Sequence, residues 1–257
     1  MCRIPVVCNS KWNIVGELVK GLKVGMDLEE RRLICLILNN LSIPFDNKAV
    51  MVLGPNGTNL VQVLLDTING GNPETYLCCV CLMNLSILED SKKVLTSYIP
   101  PTKLNNAKSE GGASSDPLEN PRSLLRTLEH MMAIYSTFLT SPQVVSVESQ
   151  AVLWSMGLLR NLSTQPENAV LIAQTTIPSL AGSCIQNSPN PLCKWKRDSL
   201  EDMCLGFLVC LVQSSEAIRI LKKSHNGLIS SLKDIAGEPG IHGMRASLVS
   251  NQLASKD

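Results

Sequence analysis

Leu158–Gln174 reads LLRNLSTQPENAVLIAQ. A strongly apolar run ends in Asn161-Leu162-Ser163, a proline follows at Pro166, and a second apolar-periodic segment begins at once. The same triplet closes CLILNNLS, as Asn40-Leu41-Ser42, and CLMNLS, as Asn84-Leu85-Ser86. The first two triplet serines lie 44 residues apart and the next interval is 77, close to one period plus an insertion. A fourth unit closes on LGFLVCLVQS, where Leu211 comes 49 residues after Leu162 and Cys210 takes the asparagine position. A recurrence of about 40–47 residues is that of helical solenoids with two or three helices per unit, each unit burying its apolar face on the next.

The signals inside each unit keep one order. After a triplet comes a short helical segment: DNKAVMVLG from Asp46, EDSKKVLTS from Glu89, PENAVLIAQ from Pro166, SEAIRILKK from Ser215. A break rich in Gly, Asn or Thr leads to a medium amphipathic segment such as NLVQVLLDTI or IPSLAGSCI. A long helix, apolar on nearly every side as a multiply packed helix must be, closes the unit on the triplet. Asn72-Pro73, Asn120-Pro121 and Asn190-Pro191 each set a good N-cap before a proline suited to the first helical position. Asp27 with Glu30 is a capping-box pattern. The chain opens on a partial unit, KWNIVGELVKGL, which lacks the short first helix and marks either a degenerate first repeat or a fragment of a longer protein.

Two regions fall outside the pattern. Pro100–Pro121 is rich in Pro, Gly, Ser and Asn with almost no large apolar residue, so its burial cannot offset the entropy of ordering. It is expected as a disordered insertion within one repeat. The stretch 237–257, opening with Gly237, Pro239, Gly240 and Gly243, is expected as a flexible tail after a repeat domain spanning 1–236.

A chain of 257 residues with net charge +1 has room for a large core and no global attraction to nucleic acid or an anionic membrane. Aromatics at 4% favour aliphatic helix packing over a β-sandwich. Most of the ten cysteines stand inside apolar runs, which reads as buried small hydrophobes in a reducing compartment, hence a cytoplasmic or nuclear protein. MCRIPVVCNS is too short and too weakly apolar for a signal peptide, and the apolar stretch Leu77–Leu88, broken by Asn84 and Ser86, falls short of the roughly 18 residues of a membrane span.

The repeated segments resemble the armadillo repeat. Its short helix opens on a polar signal, matched by Asp46-Asn47-Lys48 and Pro166-Glu167-Asn168. Its break is matched by Ile177-Pro178, and its long third helix ends in Asn-Leu-Ser, as here three times. The likeness runs from about Lys11 to Ala236; HEAT repeats are a related solenoid. It implies an all-α, right-handed superhelix of four to five repeats, partial ones included, with a groove lined by third helices. It also implies a protein or peptide partner whose backbone is held by asparagines at the positions of Asn40, Asn84 and Asn161. An amide offers donor and acceptor together, so it can grip a peptide unit whatever the side chain. The same residues could instead bond a neighbouring repeat. The family's nuclear-import adaptors carry Trp four residues before the asparagine to stack on lysine stems; Leu36, Val80 and Gly157 stand there instead, which argues against basic-signal recognition and for an apolar groove.

Trp154, seven residues before Asn161 and near the same helix face, is a candidate groove anchor and equally a candidate core filler. The Lys194–Arg197 cluster KWKR, opening a helix where cations oppose the dipole, reads first as a solvated face, with an acidic partner as the alternative. Cys78 and Cys81 form a CxxC without a second pair, so neither a zinc site nor a cofactor is expected. LGPNGT at Leu53 reads as a turn, and the glycosylation patterns at Asn40, Asn56, Asn84 and Asn161 as chance matches. With no catalytic constellation in the sequence, a non-enzymatic interaction scaffold is the leading expectation. An armadillo-type regulator or exchange factor for a small GTPase, or a fragment of a ubiquitin ligase or of a ciliary or cytoskeletal scaffold, are the alternatives.

Overall fold

The computed structural model describes residues 13–23, 27–98, 116–135, 147–186 and 194–255, the stretch 194–199 by its backbone alone. Among these residues the chain is helical, without strands. A partial first unit holds α1 (Ile14–Lys23) and α2 (Leu28–Ser42). Three-helix units follow: α3 (Phe45–Leu53), α4 (Gly57–Asn69) and α5 (Thr75–Leu85), then α6 (Glu89–Thr96), α7 (Leu124–Tyr135) and α8 (Val147–Leu162). The next are α9 (Pro166–Ala173), α10 (Ile177–Gln186) and α11 (Lys194–Leu211), then α12 (Ser215–Ser224), α13 (Leu228–Ala236) and α14 (Ile241–Ala254).

Helices of the same rank stack on one another. The first helices form the row α3–α6–α9–α12, the second α1–α4–α7–α10–α13, and the third α2–α5–α8–α11–α14. Each row buries what the sequence pattern marks as apolar. On α2, Ile34, Cys35 and Leu38 go inside, and α5 hides Leu77, Cys78, Cys79, Cys81, Leu82 and Leu85, as a helix packed on several sides should. The buried side chains of successive units form one continuous core.

Local chemistry explains the boundaries. The Asp27 carboxylate accepts the Glu30 N–H at 2.9 Å, half of the expected capping box. Pro166 sits in the first turn of α9, and Ser214 caps α12 through the Ala217 N–H at 3.3 Å. The polar residues opening α3 reach back to the carbonyls that α2 leaves unpaired: Asn47 Nδ2 donates to Leu41 O at 3.0 Å, and Lys48 Nζ donates to Ser42 O. This is the physical content of the Asp46-Asn47-Lys48 signal.

Several boundary expectations need correction. At Asn72-Pro73 the residues form the preceding turn: Asn72 O accepts the Thr75 N–H at 3.0 Å and α5 begins only there. At Asn120-Pro121 the asparagine side chain accepts the Arg122 N–H at 2.9 Å, while Ser123 Oγ accepts the Arg126 N–H and α7 begins at Leu124. Asn190-Pro191 lies outside the described residues, as do residues 100–115 of the expected insertion. Residues 116–121 of that insertion are ordered in turns: Leu118 packs on the core and its carbonyl accepts from Arg126 Nε at 2.6 Å.

Residues 237–255 of the expected tail are not loose. Gly237 closes α13, Gly240 at φ +104° turns the chain, and α14 lays Gly243, Ala246, Val249 and Leu253 against α11 and α13. Ser247 Oγ donates to Ala236 O at 3.0 Å. The repeat array therefore runs through Ala254, beyond the expected boundary at 236. The glycines and proline punctuate one inter-helix turn, and the apolar spacing after them carries the helix.

Candidate partner-binding face

The third helices lie side by side, and each keeps a stripe at helical spacing only half covered. Aligned on the triplet asparagine, that position is Asn40 on α2, Asn84 on α5, Asn161 on α8 and Cys210 on α11. Four residues earlier stand Leu36, Val80, Gly157 and Gly206; one residue earlier stand Asn39, Met83, Arg160 and Val209.

The triplets bond to one another. Asn84 Nδ2 donates to Ser42 Oγ at 3.0 Å and to Asn39 Oδ1 at 3.2 Å. Asn161 Nδ2 donates to Ser86 Oγ at 3.0 Å and to Met83 O at 3.3 Å. Ser42 and Ser86 pass their own hydroxyl protons to Asn39 O at 2.6 Å and Met83 O at 2.7 Å. Each amide thus spends both protons on the preceding triplet, whose buried serine hydroxyl is satisfied in both directions. The recurrence of Asn-Leu-Ser is a hydrogen-bonded ladder through the stack.

The ladder determines what the asparagines can still offer. The Oδ1 atoms of Asn84 and Asn161 accept no bond among the described residues, so each presents an acceptor and no free donor. Asn40, with no triplet before it, is exposed and its amide bonds to none of the described residues. Trp154 is half-buried on α8 against the core, two turns before Asn161, and its indole N–H has no acceptor among the described residues. The structure therefore brings Trp154 and Asn161 onto one helix face and links Asn161 and Asn84 to adjoining helices.

At the fourth rung the ladder changes chemistry. Cys210 has no amide to offer Ser163, whose hydroxyl turns to Leu159 O at 2.7 Å. Arg160 reaches over instead: a Cβ built on Gly206 would lie 3.2 Å from Arg160 Cδ and Nε. Burial pushes the Cys210 thiol up, and the Arg160 guanidinium beside it acts in the opposite sense. At Gly157, in the preceding helix, a Cβ would fall 2.8 Å from Met83 Sδ and 3.7 Å from Met203 Sδ. Beyond this rung Asp202 pairs with Arg245, and His242 Nδ1 and Nε2 lie 3.6 and 3.8 Å from Glu201 and Asp202. Gly206, Met83, Met203 and Arg160 are not singled out by sequence reasoning, and Gly157 only as a residue standing where a tryptophan would be. Their one sequence signal is glycine twice at the position four before the rung, inside helices otherwise free of it.

Elsewhere the polar chemistry ties repeats together. Within the CxxC, hydrogen bonding to Cys35 and burial push the Cys78 thiol up, burial pushes the Cys81 thiol up to about 12, and Cys81 Sγ lies 3.7 Å from Leu38 O. Among the described residues no three His, Cys, Asp or Glu side chains converge on a metal position. Ser179 Oγ lies 2.7 Å from His225 Nδ1, and His225 Nε2 lies 3.0 Å from Ala173 O. The carbonyl can only accept, which puts the proton on Nε2 and makes Nδ1 the acceptor of the serine hydroxyl. The imidazole clamps α12 to α9 and α10, and among the described residues no carboxylate pairs with it. The side chains of the KWKR cluster lie outside the described residues. Also among the described residues, no single helix is long and apolar enough to cross a membrane.

No protein-family model matches the sequence, and no curated protein sequence does. Solved structures do. One, from work on a phosphorylation switch controlling the interaction between cadherin and beta-catenin, superposes with a TM-score of 0.55 at 15% identity, over 98% of this chain and 56% of that chain. The chain thus spans little more than half of that neighbour's length. An engineered protein aligns at a TM-score of 0.47 and 11% identity, over 95% of this chain and 100% of its own. A designed armadillo repeat protein aligns at 0.43 and 12%, over 92% of this chain and 98% of its own.

Proposed function

We propose that this chain, an armadillo-type helical solenoid, is a non-enzymatic interaction module that holds an extended or helical segment of a protein partner along its third helices. The observation that carries this reading is the half-covered stripe on those helices. It sets Trp154, with a free indole N–H, on the same face as amide oxygens at Asn84 and Asn161 that the fold does not use, with Asn40 open at the N-terminal end. A large amphipathic ring next to unspent backbone-matching acceptors is how a surface grips a peptide without reading every side chain. The free thiols of the cysteines on the described helices support a reducing compartment, the cytoplasm or the nucleus.

The reading is tested by affinity purification of the tagged full chain with partner identification, repeated with Trp154→Ala and with Asn40→Ala. Partners that bind the third-helix face should be lost or reduced with Trp154→Ala at a temperature where circular dichroism shows the variant still folded. Retention of every partner by both variants removes this face as the binding site.

A further inference from the structure

The bare backbones at Gly157 and Gly206 have a consequence for what the face selects, and it rests on the reading above. Both glycines are buried, and the atoms nearest to where a Cβ would stand belong to three long, unbranched side chains: Met83 and Met203 at Gly157, and Arg160 at Gly206. All three covering residues are themselves only half-buried. Such side chains exchange rotamers on fast timescales and repack around a ligand, so the floor here is deformable where the Leu36 and Val80 rungs are filled by branched side chains of their own.

The charge is also uneven. Arg160 has no carboxylate partner among the described residues; its polar neighbour is the Cys210 thiol. It is the only cation among the described side chains of α8 and α11, and the next one, Arg245 on α14, already holds Asp202. One unmatched, half-buried guanidinium offers an Asp or Glu carboxylate a bidentate pair in which the two charges cancel.

We propose that the glycine pair forms the anchor notch of the face. One unbranched or aliphatic partner side chain enters over Gly157 as the methionines swing aside, and an Asp or Glu further along the same segment pairs with Arg160. The spacing follows from geometry: packed helices lie about 8–10 Å apart and an extended chain advances about 3.3 Å per residue, which puts the acidic residue roughly two or three positions from the anchor.

The test is selection of a randomised linear heptapeptide library on the purified full chain, followed by fluorescence anisotropy with the enriched synthetic peptides. The expected motif is one apolar residue and one Asp or Glu two or three positions apart. Arg160→Gln should weaken it by about tenfold, the scale of a charge-assisted pair. Replacing the peptide's Glu by Gln should cost the same on the native chain and nothing further on the Arg160→Gln variant. Gly157→Leu, which fills the notch, should weaken the peptide with the carboxylate pair intact. Peptides that lack an acidic residue, ignore Arg160→Gln and are lost with Trp154→Ala would overturn the notch and leave the face as the binding site. Peptides indifferent to all of these variants, or no enrichment at all, would remove both.

Discussion

Replacing Asn161 by Ala removes both bonds that its amide nitrogen donates to the preceding unit, at 3.0 Å to Ser86 Oγ and 3.3 Å to Met83 O. The serine is fully buried and keeps its own donated bond at 2.7 Å, so what it loses is the donor that satisfied its lone pairs. Two bonds at about 0.5–1.5 kcal/mol each set the scale. Asn161 is only half-buried, so water can replace part of the loss, and about 1–2 kcal/mol of destabilisation is expected. For a chain of this size that is a fall in melting temperature of about 2–8 °C. Urea unfolding followed by circular dichroism would measure it, with Ser86→Ala and the double variant closing a cycle whose coupling should be about 0.5–1.5 kcal/mol. Asn40→Ala is the internal control: the same residue in the same triplet, with no preceding rung, should stay within about 0.5 kcal/mol of the native chain. Equal midpoints for Asn161→Ala and Asn40→Ala, or a cycle with no coupling, would show that the triplet does not link the repeats.

Three other outcomes are expected. Burial raises the Glu129 carboxyl, but the Thr176 N–H and hydroxyl at 2.6 and 2.7 Å, together with Arg126, hold it below the ordinary carboxylate range. Its contribution is therefore present above the unfolded pKa and lost as pH falls through the folded one, so Glu129→Gln should flatten the acid side of a melting-temperature profile; an unchanged profile would refute the role. Desolvation lowers the buried Lys48 ammonium, so stability should rise as pH climbs from the folded pKa toward the unfolded one. Lys48→Met should abolish that rise, with an alkaline slope unaltered by the change counting against it. A chain ending at Ala236 would uncover the faces of α11 and α13 on which Val249 and Leu253 pack, and should melt with a loss of more than about 3 kcal/mol; a midpoint equal to that of the full chain would mean that α14 is dispensable.

The residues themselves determined the repeat, the short helices at Glu89, Pro166 and Ser215, and the all-helical class, because burial periodicity, proline and cap chemistry act within a few residues of chain. They misjudged three places for the same reason. Gly237 to Gly243 looked like a solvated tail because turn residues are identical in composition whether or not the next helix finds a surface, and only α11 and α13 supply one. Asn120-Pro121 and Asn72-Pro73 were strong local caps that lost to a serine or a later start once the neighbouring helix fixed the approach. The asparagines show the divide most sharply. The sequence placed Asn40, Asn84 and Asn161 on equivalent helix ends, open to a partner backbone or a neighbouring repeat, with nothing to separate one asparagine from another. Stacking gives two of them a serine from the unit before and leaves the first with none, and it leans Arg160 across to Cys210 where the amide is missing. Hydrogen-bond partners 75 residues away in the chain, as Ser86 is from Asn161, leave no mark on either residue's local pattern, so only the tertiary structure could separate a rung from an open end.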